Sequence, residues 1–165
     1  MKIVSRLILG VVGIAVAFWL WTVLFPSPQR VIQKRLNQLA KTATFDPKEG
    51  AISKAIKIDK LGGFFASQIE LKVNIPGLHP DAITTREELK QAAMAAVSAA
   101  RGITTEFVDI KIELNPDKQG AYVDLTLNGK AGGEADPIVQ QLKFHLKKID
   151  GEWLITRVQT TSPLR

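Results

Sequence analysis

From Leu7 to Phe25 the chain runs through nineteen residues, LILGVVGIAVAFWLWTVLF, without a charge. As a helix rising about 1.5 Å per residue, this run matches the ~30 Å hydrocarbon core of a bilayer. Twelve of its residues are Leu, Ile, Val or Phe, each favouring insertion by about 0.3–0.6 kcal/mol near the bilayer centre. Trp19 and Trp21 suit the interfacial belt at its C-terminal end. A cleaved signal peptide is the rival, with Lys2 and Arg6 as its basic start and Ala15-Val16-Ala17 as a small-x-small site. Cleavage there would leave FWLWTVLF as the new start, and the run is longer than an ordinary signal core. The segment therefore reads as an uncleaved, single-pass membrane anchor. The expected organisation is a tail over 1–6, a transmembrane helix over 7–25 and one domain over 26–165. Positive charge flanks both ends of the run, so charge alone does not orient it. A short tail ahead of a signal-like stretch ordinarily stays cytoplasmic, which puts the domain on the periplasmic or extracytoplasmic side.

The remaining length suits one α+β domain. There is no cysteine, which excludes disulfides, thiolate metal sites and cysteine nucleophiles. The net charge of +6 is uneven. Residues 30–60 hold eight cations (Arg30, Lys34, Arg35, Lys41, Lys48, Lys54, Lys57, Lys60) against Asp46, Glu49 and Asp59, a net of +5. This basic stretch directly follows the apolar run, where attraction to anionic headgroups competes with a plain solvated helix face. No aromatics interleave with the cations as a stacking platform would need, so nucleic acid is not an expected partner.

Pro26-Ser27-Pro28 ends the apolar helix, with Ser27 as N-cap and Pro28 in the first position of the next helix. Val31, Ile32, Leu36, Leu39 and Ala40 carry that helix to about Thr42. Residues 48–66 fit either period: Ile52, Ile56 and Ile58 alternate like a strand, while Ile52, Ala55, Ile56, Asp59, Gly63 and Phe64 follow a helix, the reading adopted here. Gln68–Ile75 alternates as a strand, and Pro76–Asp81 is a loop. Thr84 or Thr85 caps a long helix to Ala100, with Glu87 and Glu88 in its first turn. Its inner face, Leu89, Ala92, Ala93, Ala96, Val97 and Ala100, is small in volume. Four strands follow, over 106–114, 121–130, 139–149 and 153–159. Asp150-Gly151 forms the last hairpin turn.

Several stretches resemble bacterial members of the nuclear transport factor 2-like (SnoaL-like) superfamily: Lys60-Leu61-Gly62-Gly63-Phe64-Phe65-Ala66, the Thr85-Arg86-Glu87-Glu88-Leu89 helix start, and above all Leu146 to Ile155, LKKIDGEWLI. The resemblance covers about residues 29–160. It implies a cone-shaped α+β fold, a curved antiparallel sheet packed on about three helices around a pocket. The implied lining is Phe64, Phe65, Leu89, Val97, Val108, Ile110, Val123, Leu125 and Phe144. Catalytic sets of superfamily members do not map here: the single tyrosine, Tyr122, is a strand residue, and paired histidines are lacking.

Candidates for acid–base chemistry are few. Asp59 is the acid placed to face the interior if 48–66 is helical; a cap or a lysine partner is the plainer reading. His79 lies beside Asp81 and could act as a base, or be an exposed loop residue. His145 alternates with Lys143 and Lys147 on a polar, solvated strand face. Asp109, Asp124 and Tyr122 share a charged face. Two histidines without cysteine make no metal set, and no cofactor is expected. The domain therefore reads as a membrane-tethered, non-catalytic binding or assembly module that takes at most a small apolar ligand. The alternative is an isomerase, dehydratase or hydrolase acting on a small apolar substrate. The last strand, with Trp153 and Ile155 on one side and Leu154 and Val158 on the other, needs cover on both faces. That suggests a homodimer through the sheet, which the resemblance also implies.

Overall fold

The computed structural model describes residues 27–73, 83–132 and 137–161, together with positions 12, 14–16 and 19, which are helical. Among these residues no helix is both long and apolar enough to cross a membrane. Most of the anchor expected over 7–25 lies outside the described residues, as do His79 and Asp81.

Helix α1 (Pro28–Thr42) follows the Ser27 N-cap with proline at its start, and the Val31 amide donates to the Ser27 carbonyl. Ile32, Leu36, Leu39 and Ala40 are its buried stripe, as their spacing requires. Helix α2 (Ala51–Gly62) resolves the ambiguous stretch as a helix. Gly62 is its last residue and Gly63 its C-cap, and after Phe64 strand β1 (Phe65–Lys72) begins, so the helix stops short of the expected 66. A short strand, β2 (Ile83–Thr85), leads into α3 (Arg86–Ala99). Thr85 and Glu88 close a capping box there, satisfying two otherwise orphaned amides. The Arg86 guanidinium donates to the Phe65 carbonyl and ties the start of α3 to β1.

Strands β3 (Ile103–Leu114), β4 (Gly120–Ala131), β5 (Ile138–Ile149) and β6 (Glu152–Thr160) complete a six-stranded sheet of order β2-β1-β6-β5-β4-β3. All neighbours are antiparallel except the parallel β1–β6 pair. Asp150 and Gly151 both take positive φ, 51° and 85°, the backbone of a two-residue hairpin turn that matches strand twist.

Two register shifts change which side chains face inward. In β3 the register slips between Val108 and Lys111, with Asp109 at a φ of 53°. The bulge puts Phe107, not Val108, on the face with Ile110 and Ile112: Phe107 packs on the core and meets Phe144 edge-on at 5.8 Å. Val108 pairs with Thr126 on the polar side, so the expectation for it is corrected. In β6 an extra residue at Thr156 shifts the pairing between His145 and Leu146. Trp153, Ile155 and Val158 are consequently all buried in the core. The strand is not apolar on both sides, and that argument for a sheet-mediated dimer falls away.

The core joins Ile32, Leu36 and Leu39 of α1 to the inner sheet face, with Val123, Leu125, Leu142, Phe144 and Leu146 at its centre. Helix α1 is pinned to β3 by hydroxyls: Thr44 Oγ1 accepts from the Thr105 amide at 3.1 Å, and Thr105 Oγ1 donates to the Ala43 carbonyl at 3.2 Å. Helix α3 instead packs on α2, β1 and β2, and Val97 is its one buried residue. Val97 sits in a separate small cluster with Phe45 and Ile58, so the expected alanine face does not lie flat across the central strands.

Candidate functional site

Asp59 does not face the interior. The buried side of α2 is Ile58, Leu61 and Gly62, and one residue beyond Ile58 turns the helix about 100° away from it. The Asp59 side chain is 78% exposed and pairs with Lys90 of α3 at 2.9 Å. That lysine holds the carboxyl below the ordinary aspartate range, and Asp59 in turn raises Lys90. The plainer reading of Asp59, a lysine partner, is what the structure holds.

Of the residues expected to line a pocket, Phe65, Val123, Leu125 and Phe144 are buried in the main core. Phe64, Leu89 and Ile110 pack against its edge, half-buried. Val97 and Val108 lie elsewhere, for the reasons given above. Phe64 carries the Arg35 guanidinium 5.3 Å above its ring. Among the described residues no polar or charged side chain is buried.

Polar chemistry collects on the opposite face of the sheet. There Glu70, Arg157, His145, Tyr122 and Glu113 stand in one row across β1, β6, β5, β4 and β3, each opposite the next. A second row sets Lys72, Gln159, Lys143, Asp124 and Lys111 side by side. Arg157 pairs with Glu70, and Lys143 with Asp124 at 3.3 Å. The Tyr122 and His145 rings meet edge to face with centroids 4.5 Å apart. His145 is half-buried rather than solvated. Its pKa is lowered, first by burial and then by the Arg157 and Lys143 charges, with Glu70 and Asp124 acting in the other sense. Next to this row a depression of about 270 Å³ is lined in part by Tyr122, His145, Lys147, Thr156 and Asn115.

A neutral imidazole beside a phenol can give and accept hydrogen bonds. Among the described residues no carboxylate is paired with this imidazole to fix its tautomer, and Asp124 is bound to Lys143. Asp109 sits at the β3 bulge, so the expected trio with Asp124 and Tyr122 is not one cluster. Among the described residues no three acids or histidines converge as a metal-ligand group. Sequence reasoning missed the rows because strand alternation shows which residues share a face, while partners across strands depend on register.

No family model matches the sequence, and no curated protein matches it significantly. Solved structures do match in fold. A Nostoc punctiforme protein of unknown function, described as having a cystatin-like fold, aligns with a TM-score of 0.60 at 17% identity, over 82% of this chain and 91% of its own. A candidate scytalone dehydratase from Novosphingobium aromaticivorans aligns with a TM-score of 0.59 at 16% identity, over 81% and 84%. A variant chain named for nuclear transport factor 2 gives 0.51 at 16% identity, over 81% and 96%. At such identities the likeness concerns fold alone: a curved six-stranded sheet packed on helices, of the nuclear transport factor 2-like kind.

Proposed function

We propose that this protein is a membrane-tethered, non-catalytic binding or assembly domain. One observation carries the reading: among the described residues the interior holds no polar or charged side chain. General acid–base catalysis needs positioned donors and acceptors within reach of the reacting atoms. Here the described acids and histidine all lie outside the core, and the polar groups are spread in rows over an open sheet face, which suits recognition of another surface. The tether rests on the uncharged run from Leu7 to Phe25.

A second reading is an isomerase, dehydratase or hydrolase with a small apolar substrate. It is favoured by the likeness to a candidate scytalone dehydratase, although fold likeness does not transfer activity. The test is to assay the detergent-solubilised full chain against epoxides, ketosteroids and dehydratable alcohols, with thermal shift against apolar ligands alongside. No turnover is expected. Turnover that disappears in His145→Gln or Asp59→Asn would overturn the non-catalytic reading. Membrane fractions washed with alkaline carbonate should retain the chain, and a soluble product beginning near Phe18 would overturn the tether. A reporter fused after Arg165 gives the topology, expected extracytoplasmic.

A further inference from the structure

Helix α1 has two faces with different destinations. At about 100° per residue, Ile32, Leu36, Leu39 and Ala40 fall on the stripe buried in the domain. Arg30, Lys34, Asn37 and Lys41 fall within a sector about 60° wide on the opposite side, and all four are exposed. No acidic residue lies in the helix. Among the described residues none of Arg30, Lys34, Lys41 and Lys60 enters an ion pair. On the outer sheet face, by contrast, Lys143 pairs with Asp124 and Arg157 with Glu70.

The basic stripe is also continuous with a recess. A shallow groove along Arg30, Lys34 and Lys41 shares Gln38 and Lys41 with a depression of about 490 Å³ beside Arg35, Lys60 and Phe64. Arg35 donates from Nη2 to the Gly63 carbonyl at 2.9 Å and reaches Glu152 at 3.4 Å. Its buried Nε has no hydrogen-bond partner among the described residues. Five cations from two helices thus border one surface, and among the described residues no acid lines either hollow.

We propose that this face of α1, with Lys60, docks the domain flat against an anionic phospholipid surface. The inference rests on the tethered reading above. Pro28 follows the apolar run after only two residues, so the charged sector starts within reach of the headgroups of any bilayer that holds the run. Each cation near such a surface contributes attraction that the zwitterionic surface lacks. The buried stripe lies directly opposite, so a domain docked this way turns its sheet away from the lipid.

The chain has no cysteine, so Asn37→Cys and Gln141→Cys each provide a single labelling position in the full-length protein, one in the basic sector and one on the outer sheet face. Each labelled protein is mixed with vesicles of phosphatidylcholine alone, or of phosphatidylcholine with phosphatidylglycerol, carrying a headgroup quencher. The Asn37→Cys label is expected to be quenched in the anionic vesicles well above its level in the zwitterionic ones, with Gln141→Cys alike in both. Adding R30Q, K34Q and K41Q together should lower the docked-to-free ratio roughly a hundredfold, about fivefold per cation. K34R with K41R should retain docking, and high salt should remove it. Equal quenching of the Asn37→Cys label in the two lipids, or docking that survives the triple substitution in a protein with an unchanged thermal melt, overturns the proposal. So does displacement by inorganic phosphate at matched ionic strength, which would mark a site for a small anion. The same vesicles are then washed with alkaline carbonate: loss of the chain there sinks the tether, while the quenching contrast read beforehand still decides the docking.

Discussion

The two faces of the sheet come from the same strands and differ in almost everything else. Inward, Val123, Leu125, Phe144 and Leu146 are buried against α1 and one another. Outward, the residues between them, Tyr122, Asp124, Lys143 and His145, join rows of ion pairs and ring contacts in water. The inner face gains from removal of apolar surface from solvent, at about 25 cal/mol per Å². The outer face gains little, because exposed ion pairs are screened and must be ordered. Stability therefore resides on one side, while the other is free to be written for recognition.

This contrast is tested most sharply by truncating the core. Phe144→Ala removes a ring packed against Phe107 and should cost about 3–5 kcal/mol, measured by urea unfolding followed by circular dichroism in detergent. A loss under about 1 kcal/mol would mean that the inner face is loosely packed, reopening the case for a pocket. An intermediate effect belongs to neither face. Thr85→Ala breaks the capping box of α3 and should cost about 1 kcal/mol, most visible as faster amide exchange in the first turn of the helix.

Outward substitutions should matter less. Asp124→Asn removes the pair with Lys143 and should shift stability by about 0.2–1 kcal/mol, less still at high salt. A change as large as that of Phe144→Ala would show the outer face to be structural. The smallest effect is expected from His145. Its pKa is lowered from the ordinary histidine value of 6.5, so the unfolded chain binds more protons in the window just below that value. Stability should rise with pH across this window and level off above it. His145→Gln should flatten the slope; an unchanged slope would assign it to other groups.

Local pattern made much of this legible. The spacing of Ile32, Leu36 and Leu39 gave α1 its buried side and its end near Thr42. Asp150-Gly151 announced the last hairpin, and Thr84 or Thr85 with Glu87 and Glu88 the start of α3, of which Thr85 is the cap. Elements fixed by neighbours a few residues apart carry their own signal, because caps, turns and helical periods are short-range physics. Asp59 shows the limit within a single helix: the helix was read correctly, yet the face turned to the core was set by Ile58, Leu61 and Gly62.

The sequence by itself determined an α+β chain, the nineteen-residue uncharged run, the last four strands and the basic character of α1, while the short strand Ile83–Thr85 escaped it. Only the tertiary structure decided that Phe107 and not Val108 faces the core, that Val158 joins Trp153 inside, that Asp59 meets Lys90, and that Glu70, Arg157, His145, Tyr122 and Glu113 form a row. The reason is common to all four. A bulge adds one residue and reverses every side chain beyond it, and a partner tens of residues away is chosen by register and helix packing. Neither leaves a mark in the spacing of residues along the chain.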